Sequence, residues 1–209
     1  MALRLNGQTT GYTELNAPDN GDSVILTMPG TDGNVGEYLQ TNGSGTLSWQ
    51  TVTIPDNLTF GTAASLTGQT TVTYSSIPSN TKRITLLISG YRVSVNTARP
   101  VVRIGSGGSV ATTGYNGAAG YGSVYNDYTT GFGIYYWGST SGTNGYLKMS
   151  IENMDGNTWL SSHAGAGTSW NGLYGSGVVT LSGTLDTLDI TSVTGNFTDG
   201  TVNVIYEAA

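Results

Sequence analysis

The sequence predicts an all-β protein whose main domain is an antiparallel, jelly-roll-like β-sandwich. Glycine supplies 32 of the 209 residues and charged residues only 10%, and residues with high helix propensity are scarce. Apolar and polar residues alternate with a period of two over short segments that end at turn signals. The 13 tyrosines and four tryptophans exclude a disordered chain, because disordered chains are poor in aromatic residues.

Residues 1–56 are expected to form a small β-rich region. Asn42-Gly43-Ser44-Gly45 is typical of a hairpin turn. Short apolar segments predict strands over residues 11–15, 23–28, 38–41 and 46–52. Because this region has few large apolar residues, it cannot form a stable core alone. It therefore needs a partner, which is either the rest of the chain or further copies of it.

The β-sandwich domain is expected over residues 57–209. Ile54-Pro55 marks the boundary, because proline lacks an amide donor and holds the residue before it extended. Turns are expected at Asp155-Gly156-Asn157 and at Asp199-Gly200. Alternating segments predict strands over residues 70–74, 82–89, 99–104, 145–152, 158–161, 178–182, 185–193 and 201–206. A long structureless loop is uncommon, so the Gly- and Tyr-rich centre is given strands over residues 111–115, 122–125 and 132–137.

The composition also excludes classes of function. Thirteen acidic against seven basic residues leave a net charge of −6, which does not suit a nucleic-acid-binding surface. The absence of cysteine excludes disulfides and thiolate chemistry. The N-terminal segment has no apolar signal region, and the longest apolar run, residues 84–88, is far below the ~20 residues that cross a bilayer. We expect a protein made in the cytoplasm, with no cofactor, nucleic-acid partner or membrane insertion.

No residue pattern points to catalysis. His163, the sole histidine, lies in Ser-Ser-His-Ala-Gly and is expected in a loop or at the surface. Asp186 and Asp189 lie three apart in a predicted strand and would face opposite sides of the sheet, which disfavours a glycosidase pair. Residues 155–157 lack the remaining acids of a calcium loop, and residues 105–108 lack the lysine of a phosphate-binding loop. We therefore expect a non-enzymatic protein without a metal site.

Aromatic residues in glycine-rich surroundings are the candidates for ligand binding. Tyrosine and tryptophan beside Ser, Gly and Asn provide rigid contact area at low entropic cost, and their rings can stack on sugars. The alternative is that they fill the core or a subunit interface. The candidates are Tyr115, Tyr121, Tyr125, Trp137, Trp170 and Tyr174.

Several stretches carry a resemblance to a known group of proteins. The chain is similar to tail-fibre-like and other virion appendage proteins of tailed phages, of the cyanophage and marine phage type. The matching stretches are residues 1–18, 23–49, 77–78, 82–85, 103–105, 113–115 and 197–207. The resemblance implies a non-enzymatic virion structural protein that forms a homotrimer, with the N-terminal region near the threefold axis. The candidate oligomer or attachment residues are then Leu3, Leu5, Tyr12, Leu39 and Trp49.

The position on the virion stays open between two alternatives. The chain starts directly with the resembling module rather than with the anchoring region of a typical fibre. It could be a short fibre or receptor-binding tip that contacts glycan on the host surface. It could equally be a capsid decoration (cement) protein that binds other virion proteins and stabilises the shell. A polysaccharide depolymerase is disfavoured by the single histidine and the poor pairing of acids.

Overall fold

The computed structural model describes residues 3–6, 12–15, 25–52, 57–95, 98–135, 144–167 and 170–208, of which 3–6, 12–15, 170 and 171 are described by their backbone alone. The predicted fold class is confirmed: these residues form several antiparallel sheets, and none of them lies in a helix. Within the same ranges, nothing resembles a helix able to span a membrane. The chain divides into two compact units, Met1–Pro55 and Asp56–Ala209.

The described part of the first unit contains two antiparallel strand pairs. Its strands are β1 (Leu3–Asn6), β2 (Tyr12–Leu15), β3 (Glu37–Thr41) and β4 (Leu47–Thr51). β1 pairs with β2, and β3 pairs with β4. The predicted hairpin is confirmed, and the Asn42 side-chain oxygen accepts hydrogen bonds from the backbone N–H groups of Ser44 (2.8 Å) and Thr46 (3.1 Å). This Asx-type bonding fixes the turn.

The strand predicted over residues 23–28 is wrong for the part that the structure describes. Residues 25–28 contribute a single parallel bridge, from Thr27 to Thr46. Within residues 25–52 no side chain is buried, and Ile25, Leu26, Met28 and Val35 are exposed. These apolar residues have no core to enter within their own segment, which explains why the alternation did not produce a strand.

The second unit is a β-sandwich-like arrangement of two sheets. Its strands are β5 (Leu58–Phe60), β6 (Ala64–Ser65), β7 (Thr71–Ser75), β8 (Thr81–Val93), β9 (Pro100–Ser106), β10 (Ser109–Val110), β11 (Asn116–Tyr121), β12 (Val124–Tyr128), β13 (Phe132–Gly133), β14 (Gly145–Asp155), β15 (Thr158–Gly167), β16 (Trp170–Thr180), β17 (Thr187–Ser192) and β18 (Phe197–Ala208). The large sheet has the order β12-β11-β16-β15-β14-β8-β18-β5, with β6 also on β18. The small sheet has the order β10-β9-β17-β7, with β13 also on β9.

The core lies between these sheets, as the alternation along the strands requires. In β14 the predicted inward residues Leu147, Met149 and Ile151 are buried, whereas Lys148 and Glu152 are exposed. The same buried cluster contains side chains of β8 and β18 from the large sheet and of β9 and β17 from the small sheet. Each sheet therefore turns one face to the core, and the opposite face of the large sheet is here called its outer face.

Two other predictions for this unit are wrong. Residues 111–115 do not form a strand, because the segment is held by contacts to Ile104: Ala111 donates its N–H to the Ile104 carbonyl (2.9 Å), and the Tyr115 hydroxyl bonds the same residue. Asp199-Gly200 lies inside β18 as a bulge rather than between strands. Gly200 has a φ of 116°, which favours glycine, and a Cβ there would come within 2.7 Å of the Tyr91 Cα.

Candidate functional site

Two tyrosines flank one glycine on the outer face of the large sheet. In the register of β11, Gly120 lies opposite Tyr125 of β12 on one side and opposite Tyr174 of β16 on the other. Residues directly opposite each other in an antiparallel sheet share a face. The two tyrosines therefore stand on the same face, roughly 9–10 Å apart along the sheet because two strand spacings separate them.

Both rings are open to solvent. Tyr125 is 67% exposed and Tyr174 is 46% exposed. The Tyr174 hydroxyl donates a hydrogen bond to the carbonyl of Gly122 (2.8 Å), in the turn that joins β11 and β12. Because its far end is held, the Tyr174 ring loses less entropy when a ligand contacts it.

Gly120 leaves the sheet surface between the two tyrosines without a side chain. A Cβ at this position would overlap the carbonyl oxygen of Val124 and come within 3.0 Å of the Tyr125 Cα. Any larger residue would therefore push β12 away from β11. The tight β11–β12 pairing thus depends on a glycine at the centre of the site.

Small and polar side chains continue the same face beside the tyrosines. Two residues further along, Ala118 lies opposite Asp127 of β12 and Ser176 of β16. These three residues line a shallow depression of about 390 Å³. We call Tyr125, Gly120, Tyr174, Asp127, Ala118 and Ser176 together the tyrosine shelf. It combines two aromatic faces with a carboxylate and a hydroxyl, which suits a ligand with both apolar faces and hydroxyl groups.

The sequence pattern named only part of this site. Asp127 and Ser176 are not among the sequence candidates, because these are all aromatic residues. The available signal was the alternation of Tyr125 and Asp127, which places both on one face of a strand. Ser176 follows Tyr174 by the same period.

Tyr115 belongs to the core and not to a ligand surface. It is buried, its hydroxyl accepts a hydrogen bond from the Ile104 N–H (2.8 Å) and donates one to the Ile104 carbonyl (3.1 Å). Its ring meets Phe132 edge-on, with centroids 5.0 Å apart at 89°. Burial raises the pKa of Tyr115 to about 12. Tyr115 therefore fills the core and does not bind a ligand, because no ligand in solvent can reach its ring.

Tyr121 lies on the opposite side of β11 from the tyrosine shelf. Its ring is 5.6 Å from that of Tyr135 at 33°, and it packs on a small buried cluster that includes Tyr128 and Leu173. Tyr121 is half-buried, so its main contacts are internal. It supports the β11 strand rather than presenting a free face.

Two of the ligand-binding candidates have no described side chain. Trp137 falls outside the described residues. Trp170 begins β16, where its backbone pairs with Gly167, and its side chain is outside the description. The assignment of both tryptophans to a ligand site stays a prediction.

The oligomer candidates all belong to the first unit. In β1 and β2 the backbone register sets Leu3 opposite Leu15, Leu5 opposite Thr13 and Tyr12 opposite Asn6; their side chains are outside the description. Leu39 of β3 and Trp49 of β4 lie directly opposite each other. The Trp49 indole N–H donates to the Thr31 carbonyl (2.8 Å), and its ring lies against Gly33, which has a φ of 75°.

His163 is a strand residue with a buried imidazole, so the expected loop or surface position is wrong. It lies in β15 opposite Met149 and Gly175, and a Cβ on Gly175 would overlap the imidazole Cε1. Burial lowers the pKa of His163 to about 4. The small residues around it suggested a loop, whereas the alternation of Trp159, Ser161 and His163 as buried residues follows a strand.

The remaining polar motifs form turns or stabilise them. Asp155-Gly156-Asn157 is the predicted turn, between β14 and β15. Asp186 precedes β17, and its carboxylate accepts hydrogen bonds from the Gly108 N–H (3.1 Å) and the Thr187 hydroxyl (2.8 Å). These bonds, led by that of Thr187, lower the pKa of Asp186. The described residues contain no group of three or more side chains that could hold a metal ion.

Comparison with known proteins returned no match, either to a protein-family model or to a curated protein.

Proposed function

We propose that this chain is a non-enzymatic structural protein on the surface of a phage particle, acting as a short fibre or receptor-binding tip that contacts glycan on the host surface. The proposal starts from the resemblance of the sequence to virion appendage proteins. The observation that carries the binding function is the tyrosine shelf, with Tyr125 and Tyr174 exposed on either side of Gly120.

The shelf has the chemistry that a sugar ligand requires. Sugar rings present apolar C–H faces, which pack on aromatic rings, and hydroxyl groups, which bond to carboxylates and hydroxyls. Tyr125 and Tyr174 supply the first, and Asp127 and Ser176 supply the second on the same face. Few charges need desolvation when such a surface is covered.

Binding of the purified protein to host cells and to their lipopolysaccharide tests this function. Tyr125→Ala and Tyr174→Ala should each weaken binding about tenfold or more, because aromatic anchors dominate such contacts. Tyr146→Ala is the matched control, since Tyr146 is also an exposed tyrosine of the outer face, 42% exposed, but lies outside the shelf. Normal binding by both shelf variants would refute the site, and release of reducing sugar from host polysaccharide would refute the non-enzymatic assignment.

The resemblance also implies a homotrimer, and the first unit supports self-association. Residues 25–52 contain no buried side chain, and seven large apolar residues of this segment are exposed, namely Ile25, Leu26, Met28, Val35, Tyr38, Leu39 and Val52. Such a segment gains stability by covering these residues with copies of itself. Sedimentation equilibrium should give a mass of about three times 21.7 kDa, and a monomer at micromolar concentration would contradict the assembly.

A capsid decoration protein is the second candidate, and a separate surface favours it. An apolar groove of about 570 Å³ crosses the outer face at β8, β14, β15 and β18, where Leu87 and Tyr146 are exposed. Exposed apolar surface of this kind marks contacts with other proteins. A copy number of hundreds per virion would favour decoration of the shell, whereas a few dozen copies or fewer would favour the fibre.

A further inference from the structure

We propose that Asn42 is a site of self-modification, where the side-chain amide is lost as ammonia while the β3–β4 hairpin is folded. The proposal does not depend on the proposed function. The sequence contains six Asn-Gly pairs, and glycine after asparagine leaves the backbone nitrogen open to reaction because it has no Cβ. Three of the pairs are described with their side chains. Among these three, Asn42-Gly43 is the pair whose surroundings favour the reaction.

Two backbone donors polarise the Asn42 side-chain carbonyl. Its Oδ1 accepts hydrogen bonds from the N–H groups of Ser44 (2.8 Å) and Thr46 (3.1 Å). When a nitrogen adds to the Asn42 Cγ, negative charge develops on this oxygen, and donors that already point at it stabilise the charge. The turn therefore lowers the barrier to attack on Asn42 in the way that an oxyanion hole does for acyl transfer.

The Gly43 backbone nitrogen is the nucleophile for this attack. It follows Asn42 directly, so its addition to Cγ closes a five-membered ring. Gly43 is exposed, has a φ of 79°, and a Cβ at this position would meet nothing within 4 Å. Its N–H donates to the Thr41 hydroxyl (3.1 Å), which is a side-chain contact, so ring closure breaks no hydrogen bond between strands.

The reaction needs only water as a co-reactant. The Gly43 amide gives up its proton, its nitrogen bonds to the Asn42 Cγ, and the bond between Cγ and the side-chain nitrogen breaks. That nitrogen takes up a proton and leaves as ammonia, which leaves a cyclic succinimide. Water then opens the ring at either carbonyl, giving aspartate or isoaspartate at position 42. One water is consumed and one ammonia is released, and no atom is oxidised or reduced.

Asn116-Gly117 is an internal comparison in which strand pairing holds the backbone. It begins β11, and Gly117 pairs with Tyr128 of β12 on one side and with Gly177 of β16 on the other. Even a Cβ on Gly117 would come within 2.7 Å of the Gly177 Cα. The peptide unit between Asn116 and Gly117 therefore cannot turn towards the asparagine side chain unless the sheet opens.

Asn144-Gly145 is a second comparison, in which the carbonyl is polarised but the backbone is held. The Asn144 Oδ1 accepts two hydrogen bonds from the Arg92 guanidinium (3.1 and 2.7 Å). Gly145, however, belongs to β14, and a Cβ there would overlap the ring of Tyr91. This pair separates the two requirements, because it has donors on the oxygen but no freedom for the nitrogen to approach Cγ.

The modification changes the tip of the β3–β4 hairpin. Both products carry a carboxylate, which adds one negative charge to a chain whose net charge is −6. Aspartate keeps the oxygen that bonds Ser44 and Thr46, so this product retains the turn. Isoaspartate inserts a carbon atom into the backbone between residues 42 and 43, which displaces the hydrogen bond from the Asn42 N–H to the Thr46 carbonyl (3.1 Å).

Peptide mapping by mass spectrometry on the full chain tests the proposal. The protein is incubated in neutral buffer, either folded or in guanidinium chloride, and conversion at Asn42, Asn116 and Asn144 is followed with time. In the denatured chain the three sites should react at similar rates, since each precedes a glycine. In the folded chain Asn116 and Asn144 should react at least about a hundredfold more slowly than Asn42, because their reaction waits for the sheet to open. Equal rates at the three sites in the folded protein, or slower reaction of Asn42 there than in denaturant, would overturn the proposal.

Two variants at Ser44 separate the effect of the donors from that of simple exposure. Ser44→Pro removes the N–H that bonds the Asn42 Oδ1 and should slow the reaction about tenfold, because the developing charge loses a donor. Ser44→Ala is the matched control, since it keeps this N–H, and it should react like the parent. Isoaspartate found beside aspartate supports the cyclic route, whereas aspartate alone, or an unchanged rate in Ser44→Pro, would refute it.

Discussion

Tyr125 and Tyr174 lie on strands that do not pair with each other, yet both are register partners of Gly120. They are 49 residues apart in sequence, and β11 between them brings their side chains to the same face of the sheet. The arrangement explains why the middle strand carries a glycine, since a Cβ there would overlap the backbone of Val124.

Replacing Tyr115 by phenylalanine should lower the free energy of unfolding by about 1–3 kcal/mol. The change leaves the Ile104 N–H and carbonyl without the hydroxyl that bonds both of them. Urea denaturation measures the effect, and Tyr125→Phe, at an exposed site, should change stability by no more than about 0.5 kcal/mol. Equal stability of the two variants would contradict the core assignment of Tyr115.

Gly145→Ala should destabilise the protein by about 1–3 kcal/mol. A Cβ at this position would overlap the ring of Tyr91, which is buried and donates its hydroxyl hydrogen to the Tyr135 carbonyl (3.1 Å). Gly172→Ala is the matched control, because the nearest atom to a Cβ there is the Gly165 carbonyl oxygen at 3.5 Å. If both variants melt at the same temperature, the close packing of Tyr91 on β14 is refuted.

His163 should make the protein less stable in acid. Its pKa is about 4 in the folded protein, against an ordinary 6.5, because burial disfavours the charged form. The folded state then binds fewer protons than the unfolded state, so the stability present above pH 6.5 is lost as pH falls towards 4. The loss reaches about 3 kcal/mol. His163→Gln should flatten the dependence of stability on pH in this window, and an unchanged profile would show that the imidazole is not buried.

Asp189 should make the protein less stable at neutral pH than in acid. Burial raises its pKa from 3.8 to about 6, although the Arg103 charge opposes this shift. The folded state then binds more protons between these values, so Asp189 contributes stability below pH 3.8 that is lost as pH rises through 6. Asp189→Asn should be more stable than the parent at pH 7 and should lose this advantage on acidification. Denaturation of both proteins at pH 4.5 and 7 measures the difference, and a constant difference would contradict the shift.

Residues 56–209 should fold without the first unit. Every residue of the main buried cluster lies between Leu66 and Tyr206, so deletion of residues 1–55 removes none of that core. The melting temperature should change by only a few degrees, and sedimentation should show loss of the oligomer if the first unit holds the copies together. An oligomer that persists after the deletion would move the subunit contacts to the second unit.

Some segments of the fold can be predicted from the sequence, and others cannot. The alternation of Leu147, Met149 and Ile151 identified β14 and its buried face, because a period of two can be satisfied only by a strand with one face in a core. Asn42-Gly43 identified a hairpin for an equally local reason. The residues around His163 were misread, since small side chains carry little hydrophobic signal even when the strand that holds them is buried.

The candidate site was predictable only as a class of residue. Composition and alternation are enough to predict an all-β protein rich in tyrosines set among glycines. The packing of the two sheets places Tyr115 in the core, whereas Tyr125 and Tyr174 stay exposed. The physical reason is that tyrosine has an apolar ring and a polar hydroxyl, so it is stable in either place when its hydroxyl finds a partner. Which place it takes depends on the register between strands far apart in the chain.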